Sequence, residues 1–217
     1  MDLELWIDVV CPWCCLGVRR LEAALGDFAH RDRVRLTLRS FELDPQAPAR
    51  IEGTVAEHLA RKYGSTLEQV QERQAQLTRL GAEAGIDFRF DRVRQGNSFD
   101  AHRLIQAAGA HGVQLPVAEE LMRRYFGEGM ALDDRAALVA AAAAGGLDAD
   151  AARAALDGPA YVSEVRADEQ RAAALGIRGV PFLVLDDEYG ISGAQPAELF
   201  LQGLQTAWER RAAAEPA

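Results

Sequence analysis

Strand-like alternation is confined to the two ends of this 217-residue chain. Near the N-terminus Leu3, Leu5, Ile7 and Val9 alternate with Glu4, Trp6, Asp8 and Val10, the two-residue period of a strand with one face fully buried. That strand is expected to end at about Val10. Pro12 then suits the first turn of a helix, because the N–H it lacks is one that a helix start leaves unpaired. Val18, Leu21 and Leu25 continue at helical spacing to a stop near Gly26. Val34, Leu36 and Leu38 next alternate with Arg35, Thr37 and Arg39, so strand, helix and strand open an α/β unit.

From Thr54 to Gly176 the period is helical throughout. Ser65 with Glu68 reads as a capping box, followed by Leu67, Val70, Leu77 and Leu80 on a helix ending near Gly85. Further helices are expected over 98–108, 116–126, 133–144, 148–156 and 159–175, punctuated by Gly109, Gly127, Gly145, Gly146 and Gly158. Phe182, Leu183, Val184 and Leu185 then form a short apolar run consistent with a buried strand, and the segment 189–192 completes a hairpin across an acidic turn. Pro196 opens a last helix with Phe200, Leu204, Ala207 and Trp208 as its apolar stripe. The expected architecture is α/β, with the sheet built from 1–53 and 177–217 and an all-helical insertion over 54–176.

With 24 Lys and Arg against 33 Asp and Glu, the chain carries a formal charge of −9. A carboxylate excess argues against nucleic-acid or anionic-membrane partners, both of which need clustered cations. No apolar run approaches the ~20 residues of a membrane span. The first six residues carry Asp2 and Glu4 where a secretory signal has Lys or Arg, so a cytoplasmic location is expected. The three cysteines, Cys11, Cys14 and Cys15, lie within five residues of one another. They cannot staple distant loops, and in a reducing compartment such a pair is catalytic or metal-binding more often than structural.

A cysteine just after a strand and at a helix N-terminus faces unpaired backbone N–H groups and the positive end of the helix dipole, and both favour thiolate over thiol. Cys11 occupies that position and is expected to be the nucleophile with a pKa below the ~8.5 of a free cysteine. Cys14 lies about one helical turn on, close enough to form a disulfide or to resolve a mixed one. Zinc is the competing use of C-x-x-C, but no second cysteine pair exists, and His30, His58, His102 and His111 show no H-x3-5-H spacing. Neither a metal nor a cofactor is expected.

The segments Cys11-Pro12-Trp13-Cys14 with Gly17, Asn97-Ser98-Phe99-Asp100-Ala101-His102-Arg103-Leu104, Gly179-Val180-Pro181-Phe182 and Ser192-Gly193-Ala194-Gln195 resemble the DsbA-like family, particularly its FrnE-type members. That resemblance spans nearly the whole chain. It implies a thioredoxin-like fold interrupted by a helical domain, disulfide exchange through Cys11 and Cys14, and a cis-proline facing the redox pair, a role that falls to Pro181. From sequence alone a trans proline would be the default. Val180 would then offer its N–H and C=O to an extended peptide.

Other positions are open to two readings. Pro12 and Trp13 lie between the redox cysteines, where an indole would cover an apolar patch as a substrate platform or stand as a surface aromatic. His102, four residues beyond Ser98 on one helix, would reach the cleft as a proton shuttle or polar contact, or sit as a capped core histidine. Ser192, Gly193 and Gln195 precede the last helix, so their backbone amides would hold a carboxylate of a peptide or of glutathione, or only cap the helix. Cys15, where family members commonly carry an aromatic residue, reads as a small buried residue or as a third redox thiol.

The expected partners are protein or low-molecular-weight disulfides and thiols, glutathione among them. Two other functions compete. Hydroxychromene-carboxylate isomerases and kappa-class glutathione transferases share the implied architecture, but commonly have serine where Cys11 stands. A non-enzymatic holdase would use the cleft around Trp13 and Pro181 without either thiol.

Overall fold

The computed structural model describes the backbone of residues 1–214 and the side-chain surroundings of residues 1–211. Among them four strands, β1 (Asp2–Ile7), β2 (Arg35–Ser40), β3 (Phe182–Leu185) and β4 (Tyr189–Ser192), form one mixed sheet in the order β2-β1-β3-β4. β1 runs parallel to β2, with Asp2 opposite Arg35 and Ile7 opposite Ser40, and antiparallel to β3, with Trp6 opposite Phe182. One face of the central strand is fully buried, as expected; on the other Asp2 is exposed, Glu4 half-buried and Trp6 buried. Leu3, Leu5 and Ile7 join the main core, while Trp6 packs on the other face with Ala172, Ile177 and Val184 and donates its indole N–H to the Asp168 carbonyl at 3.1 Å.

The strand expected to reach Val10 stops at Ile7. Beyond it the chain turns, because the Cys11 N–H bonds back to the Asp8 carbonyl at 3.1 Å and the Asp8 carboxylate accepts the N–H groups of Val10 and Leu43. These local bonds satisfy the backbone without a strand partner. Helix α1 (Pro12–Asp27) starts directly after the turn and packs against α9 (Ala197–Ala214), burying Leu16, Val18 and Leu21 toward the sheet.

Seven helices lie between β2 and β3: α2 (Val55–Tyr63), α3 (Leu67–Glu83), α4 (Phe99–Ala110), α5 (Gln114–Arg123), α6 (Arg135–Ala144), α7 (Ala149–Asp157) and α8 (Val162–Ala174). The capping box at α3 is one residue later than expected. Thr66 accepts the Gln69 N–H while Gln69 accepts that of Thr66, and Thr54 with Glu57 forms a second box ahead of α2. Both pairs satisfy the same rule as Ser65 and Glu68, so the choice of register needs the backbone. The helix expected over 116–126 gives way at Arg124 to a π turn (Arg124–Glu128) closed by Gly129. Tyr161, in left-handed conformation, delays the start of α8 to Val162.

One apolar cluster runs from Leu3 and Leu5 through Leu16 and Leu21 to Leu104, Ile105, Leu121 and Leu156, so α4 and α5 pack onto the same core as the sheet. Full burial of each such side chain stabilises the fold by roughly 1.5–3 kcal/mol relative to exposure. Polar bonds set the register. Asp168 accepts the Ser40 N–H at 2.9 Å and bonds Arg39 and Gln106, and the Gln114 side-chain amide pairs with both the N–H and the C=O of Leu38. That amide covers part of the β2 edge, which would otherwise offer unpaired groups to another strand.

Candidate active site

Cys11 is the N-cap of α1, with extended backbone (φ −97°, ψ 110°), Pro12 next in the first turn, and no acidic residue in that turn. Its sulfur therefore lies at the positive end of a 16-residue helix whose first turn carries no carboxylate. All three cysteines are free thiols. The Cys11 side chain donates toward the Val180 carbonyl oxygen at 3.5 Å, and Cys11 keeps 5% of its surface open to solvent.

Cys14 has no exposed surface, and its sulfur accepts the Asp8 N–H at 3.4 Å. Burial pushes the Cys14 thiol well above the ordinary range; the adjacent Cys11 sulfur adds to this, and the Asp8 N–H opposes it. Cys15 faces the Cys11 carbonyl at 3.9 Å, and burial, with Cys11 beside it, raises its thiol likewise. The three sulfurs are thus unequal. Cys11 alone is the helix N-cap, and Cys14 alone has no exposed surface.

The Val180–Pro181 peptide is cis, and Pro181 is packed against α1 at Gly17, where a Cβ would come within 2.8 Å of the Pro181 Cγ. Only a residue without a side chain allows that approach. The Pro181 carbonyl accepts the Gly193 N–H at 2.9 Å, and Arg20 of α1 donates to the Ala194 carbonyl at 2.6 Å. The 192–195 loop is thereby tied to both the proline and the helix. Trp13 is 40% exposed beside Cys11, and Pro12 and Val180 are half-buried.

Two expectations are corrected by this geometry. The amides of Gly193 and Gln195 are not available to a ligand carboxylate: the first bonds Pro181, the second bonds the Gly193 carbonyl at 3.0 Å, and the Gln195 side chain bonds the Ser192 carbonyl. The left-handed backbone of Gly193 (φ +80°) folds the loop onto itself, so these groups close a turn. His102 does not reach the cleft. It has no exposed surface, and its Nε2 lies 3.3 Å from Asp8 Oδ1 inside the core.

Asp8 is the member of this cluster that pattern reading treated only as a strand residue. Its carboxylate is fully buried and bonded to Val10, Leu43 and His102, while its N–H faces Cys14. The available signal was a charged residue in an apolar strand tail three positions before Cys11. Tyr125 of the π turn closes the far side, its phenol held un-ionised by burial and by the Asp8 charge. Among the described residues no group of three or more His, Cys, Asp or Glu side chains is placed to hold a metal ion.

A mixed four-stranded sheet with a cysteine pair opening the first helix and a proline against it defines a thioredoxin-like fold of the oxidoreductase type. Residues 2–205 match the model of the DSBA-like thioredoxin domain family, and the chain belongs to that family. The probable DsbA oxidoreductase of Streptomyces coelicolor is 42% identical, with a TM-score of 0.93 over 100% of this chain and 92% of that one. The cytosolic disulfide reductase DsbM of Pseudomonas aeruginosa, solved with GSH, is 19% identical with a TM-score of 0.68 over 96% of this chain and 100% of its own. A 2-hydroxychromene-2-carboxylate isomerase is 16% identical with a TM-score of 0.71, each chain covered in full. The last two share the fold. No curated protein matches the chain.

Proposed function

We propose that this protein is a dithiol–disulfide oxidoreductase in which Cys11 attacks and Cys14 resolves. The Cys11 thiolate attacks a substrate disulfide, forms a mixed disulfide and expels one substrate thiolate, which takes up a proton. Cys14 then attacks the Cys11 sulfur and expels the second thiolate. The substrate disulfide is reduced to two thiols while the pair is oxidised to a Cys11–Cys14 disulfide; the reverse sequence oxidises a dithiol.

The observation that carries this reading is the inequality of the pair: Cys11 is the helix N-cap and keeps a small exposed surface, whereas Cys14 lies behind it with none, its thiol pushed up by burial. A glutathione isomerase has no use for a resolving thiol in that position. Trp13, Pro12 and the Val180 backbone border Cys11 and supply the face for a peptide or small disulfide. The GSH held by the DsbM structure supports glutathione as the small thiol, and DsbM's description as cytosolic supports the same compartment here. No helix among the described residues is long and apolar enough to cross a membrane. Within the family we assign the chain to the FrnE type, with 1–53 and 177–217 as the exchange unit and 54–176 as its helical cover.

Insulin reduction tests the proposal. Wild type is expected to turn over, Cys11→Ser to be inactive, and Cys14→Ser to accumulate a covalent Cys11–substrate complex on non-reducing gels. Turnover by Cys11→Ser would overturn it.

A further inference from the structure

A cavity of about 290 Å³ opens where α1 faces α5 and the π turn. Its floor is apolar: Cys15 and Val18 of α1, Met122 of α5 and Phe126 of the π turn are buried side chains, and Ile86 adds a half-buried one. Packed interiors leave few voids larger than a water molecule, whereas this space is close to the smallest that small-molecule ligands fill. Neither Cys11 nor Cys14 lines it.

The mouth is charged, and its charges do not balance. Arg19 and Arg123 stand there against Asp87, Glu119 and Glu128. Both guanidiniums are also shared with a carboxylate outside the lining. Arg19 donates to Glu22 at 3.2 Å, and Arg123 donates to both oxygens of Glu120 as well as to Glu128 at 2.7 Å.

Glu119 is the group left short. Arg19 lies 2.7 Å from its Oε1 without the alignment of a hydrogen bond, and that buried oxygen accepts none. Burial raises the carboxyl to about 7, the Glu22 carboxylate adds to the rise, and Arg19 opposes it. A carboxylate beside an apolar recess is stabilised by a cation that brings N–H groups of its own. An anionic ligand would add to the carboxylate excess, and a neutral one would leave Glu119 without a counter-charge.

We propose that this cavity binds a small organic cation, an amine or guanidinium carried on an aryl or alkyl body, with the Glu119 carboxylate as its counter-ion. The body lies over Val18, Met122 and Phe126, and the cationic head bonds Glu119 at the mouth. Binding is read without turnover, so the outcome is independent of the exchange reading.

Calorimetric titration of the full chain with phenethylamine tests the proposal, with phenethyl alcohol and hydrocinnamate as neutral and anionic counterparts of similar shape. The amine is expected to bind one per chain and about tenfold or more tighter than either counterpart, the margin of a hydrogen bond between charged groups. Its affinity is expected to fall about tenfold from pH 8 to pH 6, because a carboxyl titrating near 7 is mostly ionised at the first and mostly protonated at the second, while an ordinary amine stays charged. The charged groups around Glu119 are Glu22 and Arg19 on α1, Arg123 on its own helix, and Asp87 and Glu128 on the same cavity. Glu119→Gln is expected to remove both the preference for the amine and its pH dependence, and Cys15→Phe to fill the cavity and abolish amine binding. Absence of saturable binding, equal affinity for amine and alcohol in the wild type, or amine affinity within twofold of wild type in either variant overturns the proposal. Should Cys15→Phe fail to fold, Glu119→Gln decides.

Discussion

Gly17 and Pro181, 164 positions apart in sequence, meet so closely that a methyl group on Gly17 would lie 2.8 Å from the Pro181 Cγ and 3.2 Å from its Cβ. The proline is fixed from behind by the Gly193 N–H on its carbonyl, so neither partner yields easily. Gly17→Ala is therefore expected to destabilise the fold by about 1–3 kcal/mol through overpacking, offset in part by the roughly 1 kcal/mol that alanine gains over glycine within a helix. Insulin reduction should fall as well, because the proline is displaced from Cys11. Urea unfolding and turnover measured together check this. Wild-type values for both would show that the contact is not tight.

Cys11 is the sulfur expected to react first with an alkylating reagent under native conditions. Intact-mass analysis after brief iodoacetamide treatment at neutral pH should show one adduct, mapped to Cys11. It should vanish in Cys11→Ser, because the Cys14 and Cys15 thiols are held protonated by burial. Two adducts at comparable rates in the folded wild type would contradict the assigned inequality.

Cys15 is expected to be dispensable for exchange. It is 6% exposed and its thiol is raised by burial, so Cys15→Ala should retain most insulin reduction and lose roughly 1 kcal/mol of stability to the small cavity left behind. A loss of turnover as deep as that of Cys11→Ser would make Cys15 a third redox thiol.

Glu119 of α5 faces α1 across the join between the helices and the sheet unit. Burial raises its carboxyl from the ordinary 4.5 to about 7; Glu22 adds to the rise, while Arg19, 2.7 Å away, opposes it. Between pH 4.5 and 7 the folded chain holds a proton here that the unfolded chain has released. Stability from this site therefore falls as pH rises through that window and stays lower above it. Glu119→Gln should raise the urea midpoint relative to wild type at pH 8 and change it little at pH 5. An equal gain at both values would point to a cause other than ionisation.

The sheet strands and the helical insertion were legible because alternation and the 3.6-residue period are local signals: Leu3, Leu5 and Ile7 face one core, and Phe182 to Leu185 lie together in a buried strand. Boundaries were less so. Ser65 with Glu68 and Thr66 with Gln69 fit the same capping rule, and only the backbone chose between them. The end of β1 at Ile7 depends on Leu43, 35 residues after Asp8, whose N–H takes one oxygen of the Asp8 carboxylate.

For the candidate site, the sequence by itself determined the chemistry available: two thiols one helical turn apart, the first at a helix start just ahead of Pro12. These follow from residue type and short-range spacing. Only the tertiary structure decided which groups meet. It brought Pro181 against Gly17, spent the amides of Gly193 and Gln195 within their own loop, and turned His102 away from the cleft onto Asp8. The physical reason is that burial and hydrogen-bond pairing are properties of distant segments packed together. A histidine four residues into a helix reads the same on paper whether its ring faces solvent or a carboxylate 94 positions earlier in the chain.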